Sequence, residues 1–569
     1  MQQHTRKRRF AAAIGLGLAA LAASSVQTRA SETPTPGGVI EIATLYRALP
    51  TLSWDPADWN WKVNHDTGQM FEQLFAADLT KAKRLGGPYS FYADAWLPSD
   101  AIRGELAESW EWKQNPLRLE VKLRDGARFP AKPGVMEARD LVADDVVYAY
   151  NRLLQSPKKV AGYFDHLEKV EAKDPKTVVF TFSKFNSEWG YRFGYGYFSG
   201  IYPKEVVQAG ISDWKKLNGT GPFLLTDFVQ GSAATYARNP DYWGSEKIDG
   251  KEFKLPLLDK VVFRNIRDPS TAMTALRQGK VDILESVRWS DVDPLKKTSP
   301  QLQWGKWLSM FGQYLAMRTD TKPFDDIRVR RALNMAVNKK EIVDSYYGGQ
   351  AEMFAYPQHP DYTGYYETLD KMPESIRELY AYNPEKAKKL LAEAGYPKGF
   401  SFKVQVCTCN PDHMELLPLV AAYLEQVGVK LEIQPLEYGA FLATALGKTH
   451  APGFFTSTPH SNPTTTLRTG FLPGQQANAS MYRDPEFDRR LADAYAEQDE
   501  PKRQAMIKDL TREVLDKAPY VWLPTPYVFT AWWPWVKNYG GELRAGANRP
   551  GPIYARIWID QQMKKKMGF

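Results

Sequence analysis

The sequence predicts an α/β fold with mixed sheets, and three observations predict it. A strand-like run from Leu258 to Ile266, a short helix over Ser270–Gln278 and a second run at Val281–Ile283 follow one another. That order is a crossover unit, which lays its strands side by side in parallel. Phe400–Val406, Leu416–Val427 and Val429–Ile433 repeat it. By contrast, Phe223–Phe228 and Ala233–Ala237 meet through Gln230-Gly231, as the arms of an antiparallel hairpin do. Once a leader is set aside, roughly 540 residues remain, too many for one core, so two or three lobes are expected.

The first thirty residues read as that leader. His4-Thr-Arg-Lys-Arg-Arg9 is basic, Phe10–Ala23 is apolar, and Thr28-Arg-Ala30 ends on a small residue suited to cleavage. The apolar stretch is too short and alanine-rich for a membrane span. Arg8-Arg9 runs directly into Phe10, which favours a general secretory signal over the twin-arginine route. No cysteine stands near the cleavage site, so a free periplasmic protein without a lipid anchor is expected. Residues 1–30 hold five basic residues (Arg6, Lys7, Arg8, Arg9, Arg29) and no acid, so their removal takes the net charge from +8 to +3. That balance gives no case for a nucleic-acid partner.

The elements follow in order. Gly38–Thr44 alternates as an edge strand, and Thr67–Phe75 reads as a helix. Leu141–Leu154 is amphipathic, with Asp144 and Asp145 at its start, where acids suit the helix dipole. Asp174–Phe182 is a strand entered from a turn. Lys322–Val337 is a helix opened by Asp325-Asp326, and Asn338 caps the next. Asn383-Pro384 opens a helix that Gly395 stops. Two amphipathic helices, 484–491 and 501–515, precede an aromatic tail, Tyr520–Trp535, that returns as strands. Adjacent acids at helix starts read as caps rather than a hydrolytic pair. The histidines after the leader show no metal or catalytic spacing, and neither a nucleophile elbow nor a phosphate loop is spelled.

Cys407 and Cys409 are the only cysteines. In an extended strand, positions i and i+2 lie roughly 6.5–7 Å apart, at the limit for a disulfide. A bridge would be strained, and with His413 nearby a metal site can be imagined, but the spacing fits no common zinc pattern. A loop thiol pair without metal is the reading carried forward.

Gly219-Thr-Gly-Pro-Phe223, followed by Arg238-Asn-Pro-Asp-Tyr-Trp243, is the most specific spelling in the chain. Its glycines permit positive φ on both sides of Thr220, and Tyr242-Trp243 make an aromatic clasp. This segment resembles the signature of the family 5 extracellular solute-binding proteins, receptors of ABC importers. Glu105-Leu-Ala-Glu-Ser-Trp110, Leu123-Arg-Asp-Gly126 and Lys322–Val337 match in order, so the likeness covers the whole mature chain.

The resemblance implies a two-lobed periplasmic binding protein fold with a hinged cleft and a subdomain inserted in the first lobe. It divides the chain into a signal peptide (1–30), lobe I (31–50, 170–305 and 520–569), the inserted subdomain (51–169) and lobe II (306–519). It implies a monomeric receptor, not an enzyme, without cofactor or metal, that captures a peptide or peptide-sized solute by hinge closure and delivers it to a membrane permease. An oligosaccharide is the alternative solute, and a periplasmic hydrolase with an aromatic cleft the alternative from another class. The ligand contacts it implies are Tyr46, Trp59, Trp61 and Tyr163 in the first half. In the second they are Tyr438 and Phe441, from a segment like "E-W-x-x-F", and Thr456, Thr458, His460 and Asn462. The last four belong to a loop like "G-W-x-x-D-Y-x-x-P", whose aspartate grips a peptide's α-amino group. Here Pro459 stands at that position and Thr456 replaces the tryptophan. The loop's neutral groups suit a sugar, a blocked peptide or another polar neutral solute.

Overall fold

The computed structural model describes residues 33–569 except 50, 59–61, 93–95, 157–162, 198, 249, 460–461 and 476. The expected leader, Trp59, Trp61 and His460 therefore lie outside the described residues.

Three larger sheets organise the chain. The first has eight strands, in the order 223–229, 233–238, 260–264, 39–43, 283–287, 525–532 and 303–308, with 351–352 also paired to 525–532. Strand Val39–Ala43 is parallel to both Lys260–Arg264 and Ile283–Val287. The helix Pro269–Arg277 carries the chain between those two, stepping over Val39–Ala43. Its end is set by Gly279, whose φ of +65° is left-handed. The remaining pairings are antiparallel, so the sheet is mixed as the sequence predicts.

The second sheet has five strands, 429–436, 400–407, 453–459, 311–317 and 520–522, the first three parallel. The third, 107–113, 118–123, 177–182 and 167–174, is antiparallel and carries the helix Ala143–Leu154. Asp145 closes that helix start by accepting from the Val142 amide at 3.1 Å. One apolar core runs through the first and third sheets and another fills the second, and Trp289 packs against both.

Strand Gln303–Leu308 lies in the first sheet and Tyr520–Trp522 in the second. The chain thus leaves the first sheet at 309–310 and returns at 523–524, not at the expected 305/306 and 519/520, and between these points Ala351–Glu352 also pairs in the first sheet. Strand Thr177–Phe182 also completes the third sheet beyond the expected limit at 169. Alternation marks a strand but not the sheet it joins.

Two further expectations are corrected. The helix read at Thr67–Phe75 spans Val63–Thr67, because the next carbonyls are used elsewhere: Met70 O accepts from Gly221 N at 2.7 Å and Gln69 O from Phe223 N at 3.1 Å. The same contact explains the glycines of the signature. Gly219 and Gly221 are not among the residues of positive φ. A Cβ on Gly219 would lie 2.2 Å from Met70 O, and one on Gly221 would lie 2.5 Å from Gln69 O. They are glycines because two backbones touch there. The clasp then closes on the same segment. Trp243 donates through its indole to both oxygens of Glu72, at 2.9 and 3.1 Å, with the Arg124 guanidinium 3.7 Å above its ring. Burial, then the neighbouring Glu105, pushes the Glu72 carboxyl up to about 8.

Candidate functional site

In open α/β sheets, ligands gather at the carboxyl ends of parallel strands, where loops and helix starts cluster. The first sheet's edge begins where Val39–Ala43 runs into two successive turns, Arg47 N bonding Thr44 O at 3.0 Å and Leu49 N bonding Tyr46 O at 2.9 Å. These hold Tyr46 with its hydroxyl on Asn548 and its ring edge-on to His65, centroids 5.1 Å apart. Beneath it, Glu285 is fully buried. It accepts from the Leu45 amide at 3.0 Å and from the Tyr554 hydroxyl, with the Arg544 guanidinium 3.7 Å away.

The second sheet's edge is built differently. Each of its three parallel strands leads into a helix with a side-chain cap. Asn410 accepts from the amides of Asp412 and His413 at the start of Pro411–Glu425, Glu437 from Gly439 at the start of Tyr438–Leu446, and Asn462 from Thr465 at the start of Pro463–Phe471. Three positive helix ends thus share one edge.

Cys407 and Cys409 form a disulfide on this edge, so the expected free thiol pair is corrected. The chain leaves the strand at Cys407 and turns. That contracts the Cα separation to 5.1 Å, well inside the bridging range that an extended strand exceeds.

The two halves also meet where the segments flanking the third sheet reach the second sheet's edge. Glu188 accepts from Arg192 at 2.6 and 3.0 Å and from the Thr465 hydroxyl, to which Arg192 also donates at 3.1 Å. Two guanidiniums lie over the ring of Tyr163, Arg192 at 3.9 Å and Arg468 at 4.3 Å. Burial raises the Glu188 carboxyl, but Arg192 and Arg468 outweigh it, so the group sits below the ordinary carboxylate value. The Tyr163 hydroxyl is likewise lowered, burial being overcome by the same two cations. Farther along, Ser187 N donates to Tyr495 O at 2.8 Å, and Arg288 pairs with Glu415 at 2.8 Å.

The structure brings some expected site residues together. Tyr163 and Asn462 converge through the helix that Asn462 caps, and Asn462 commits both ends of its amide to that helix start. Thr456 and Thr458 share one face of Gly453–Pro459, where the Thr458 hydroxyl meets that of Tyr314. Phe441 stacks on Phe454 at 4.3 Å, while Tyr438 is 52% exposed at its helix start. Pro459 is exposed at the end of its strand, paired with Phe311. Glu188, Arg192, Thr465 and Arg468 escape a sequence reading. Arg192 and Glu188 sit at i,i+4, but their partners lie more than 270 residues away.

Two α/β halves, each with its own sheet and apolar core, define a two-lobed binding protein. Residues 101–478 match the family model of the bacterial extracellular solute-binding proteins, family 5 Middle, and the chain belongs to that family. It is 29% identical to heme-binding protein A of Haemophilus influenzae over 78% of this chain and 82% of that protein. It is 27% identical to the dipeptide-binding protein of Escherichia coli over 82% and 89%. The periplasmic binding protein DppA of Helicobacter pylori, solved with the peptide STSA, superposes with a TM-score of 0.73 over 93% of this chain and 99% of that one, at 24% identity.

Proposed function

We propose that this protein is a periplasmic, monomeric receptor that captures a peptide or peptide-sized solute between its lobes and presents the closed form to an ABC importer permease. One observation carries the reading. The first sheet's carboxyl edge reaches the second's through Arg288, which follows Ile283–Val287 and pairs with Glu415 in Pro411–Glu425, and Glu188 and Arg192 reach Thr465, in a chain whose relatives include a dipeptide-binding protein. A solute that touches both edges adds contacts found only in the closed arrangement, and so shifts the population toward it. The contacts proposed from sequence (Tyr46, Trp59, Trp61, Tyr163, Tyr438, Phe441, Thr456, Thr458, His460 and Asn462) belong to this reading. Among the described residues, no helix is long and apolar enough to cross a membrane.

A non-peptide solute is the second reading, and Pro459 favours it. That position is exposed and offers no carboxylate to an α-ammonium group. Native mass spectrometry of protein taken from its own periplasm tests both. A retained peptide is the first reading's outcome and a retained sugar the second's. Turnover of a glycoside or peptide substrate, without a solute-induced fluorescence change, would sink the receptor role.

A further inference from the structure

A cavity of about 40 Å³, partly open, lies on the first-lobe edge between the turns at 44–49 and the hairpin tip at 228–234. Tyr46, Arg47, His65 and Asn265 line it. One water occupies roughly 10–15 Å³ by this kind of measure, so a carboxyl group and one neighbouring atom fit.

The polar groups around it do not balance. Lys62 is matched by Asp66, at 2.6 Å, and Arg264 by both oxygens of Glu41, at 2.6 and 2.9 Å. Among the described residues, no carboxylate pairs with Arg47 in this way. Its electrostatic partner, Glu285, is already engaged by Tyr554, the Leu45 amide and Arg544. Arg47 Nε, His65 Nε2 and Asn265 Oδ1 are buried atoms without a hydrogen-bond partner among the described residues. His65 itself is only 1% exposed. Its Nδ1 faces Asp66 at 3.2 Å, and Asp66, which burial raises but Lys62 and His65 lower further, is ionised. The ring proton therefore sits on Nδ1 and Nε2 is an acceptor. Burial also lowers the Arg47 pKa, as expected of a cation whose charge is poorly compensated.

An occupant that completes this set must accept a charge-assisted bond from Arg47 and donate one to His65 or Asn265. A carboxylate flanked by an N–H or O–H does both, as at the carboxyl end of a peptide or in a hydroxy acid. We propose that this cavity is a carboxylate subsite on the first-lobe side of the cleft, taking the acidic end of the solute on Arg47. This rests on the receptor reading and adds the solute's charge and orientation. It also fits the other edge, where Pro459 offers no carboxylate to an ammonium group.

The test uses the full mature chain with ¹⁵N-labelled arginine, titrated with acetate, acetamide and inorganic phosphate at constant ionic strength. Acetate should move the Arg47 Nε–H resonance saturably, that resonance being assigned by its loss in Arg47→Gln. Acetamide should not move it, and phosphate should act more weakly. Saturable acetate binding, followed by the thermal transition, should weaken at least about tenfold in Arg47→Gln and less in Arg47→Lys. Equal effects of acetamide and acetate would overturn the proposal, as would stronger binding of phosphate or undiminished acetate binding in Arg47→Gln. Circular dichroism of both variants separates a lost site from a lost fold. The receptor reading is judged on the wild type alone, by fluorescence change with a peptide mixture, so one can fail while the other stands.

Discussion

The two edges of the cleft solve the same problem with different materials. On the first-lobe edge, side-chain ions do the work: Glu285 and Arg544 are 0% and 1% exposed, and Lys62 and Asp66 are paired in the interior beside them. On the second-lobe edge, helix caps do it, through Asn410, Glu437 and Asn462 and the helix starts they close. The difference teaches where a substitution is tolerated. A buried ion left without its partner keeps its whole desolvation cost, whereas a lost cap leaves an uncharged amide short of one acceptor.

The largest expected effect falls on the ionic edge. Glu285→Leu removes the acceptor of Tyr554 and Leu45 N and the nearest carboxylate to Arg544, and should cost about 3–5 kcal/mol in chemical denaturation. A loss below 1 kcal/mol would mean that the edge is not held by its charges.

Acid should weaken both edges through their histidines. Burial holds His65 on the first edge and His413 on the second below the ordinary value, as it does His166, and His166 and His413 fall to about 4. Their folded pKa is depressed, so the unfolded chain takes up protons first. Stability is full above roughly pH 6.5 and is lost as pH falls toward 4. Between pH 6.5 and 5, His166 and His413 should each remove about 2 kcal/mol. Urea midpoints at pH 7.5, 6 and 5 check this, and His413→Gln should flatten the slope.

Thr465→Val deletes the hydroxyl that joins the edges without touching either core. It should weaken solute capture by about 1–2 kcal/mol, read as a rise in Kd at an unchanged melting temperature. If the melting temperature falls and the affinity does not, the bond belongs to the fold rather than to closure.

Asn462→Ala should be mildest, about 1–2 kcal/mol, since it removes the acceptor of Thr465 N and the amide that donates to the Thr465 hydroxyl, but no charge. If it instead abolishes binding, the second edge recognises solute through that side chain, and the contrast between the edges shrinks.

Most of the scaffold was legible because its signals are local. Strand-like runs marked Phe223–Phe228 and Phe400–Val406, each within one residue of the strand found there, and Asn383, Asn338 and Gly279 marked helix ends in place. The glycines at 219 and 221 were legible as special but not for the right cause. Close approach to Met70 depends on a segment some 150 residues away. The site was less legible for the same reason. Tyr46 and Tyr163 stood out as aromatics, but Arg192, Thr465 and Arg468 become a group only when two distant helices meet. The disulfide was misread because its geometry depends on a turn that begins within the pair.

Trp289 adds an optical consequence. It packs against both cores, lies 4.7 Å from Tyr347 and carries the Arg288 guanidinium 4.7 Å above its ring, while Arg288 reaches across to Glu415. Of the chain's 17 tryptophans, this indole sits where any change in the angle between the halves alters its quenching and its polarity. Its emission is a built-in gauge of that angle, and Trp289→Phe would leave the receptor working but its closure dark.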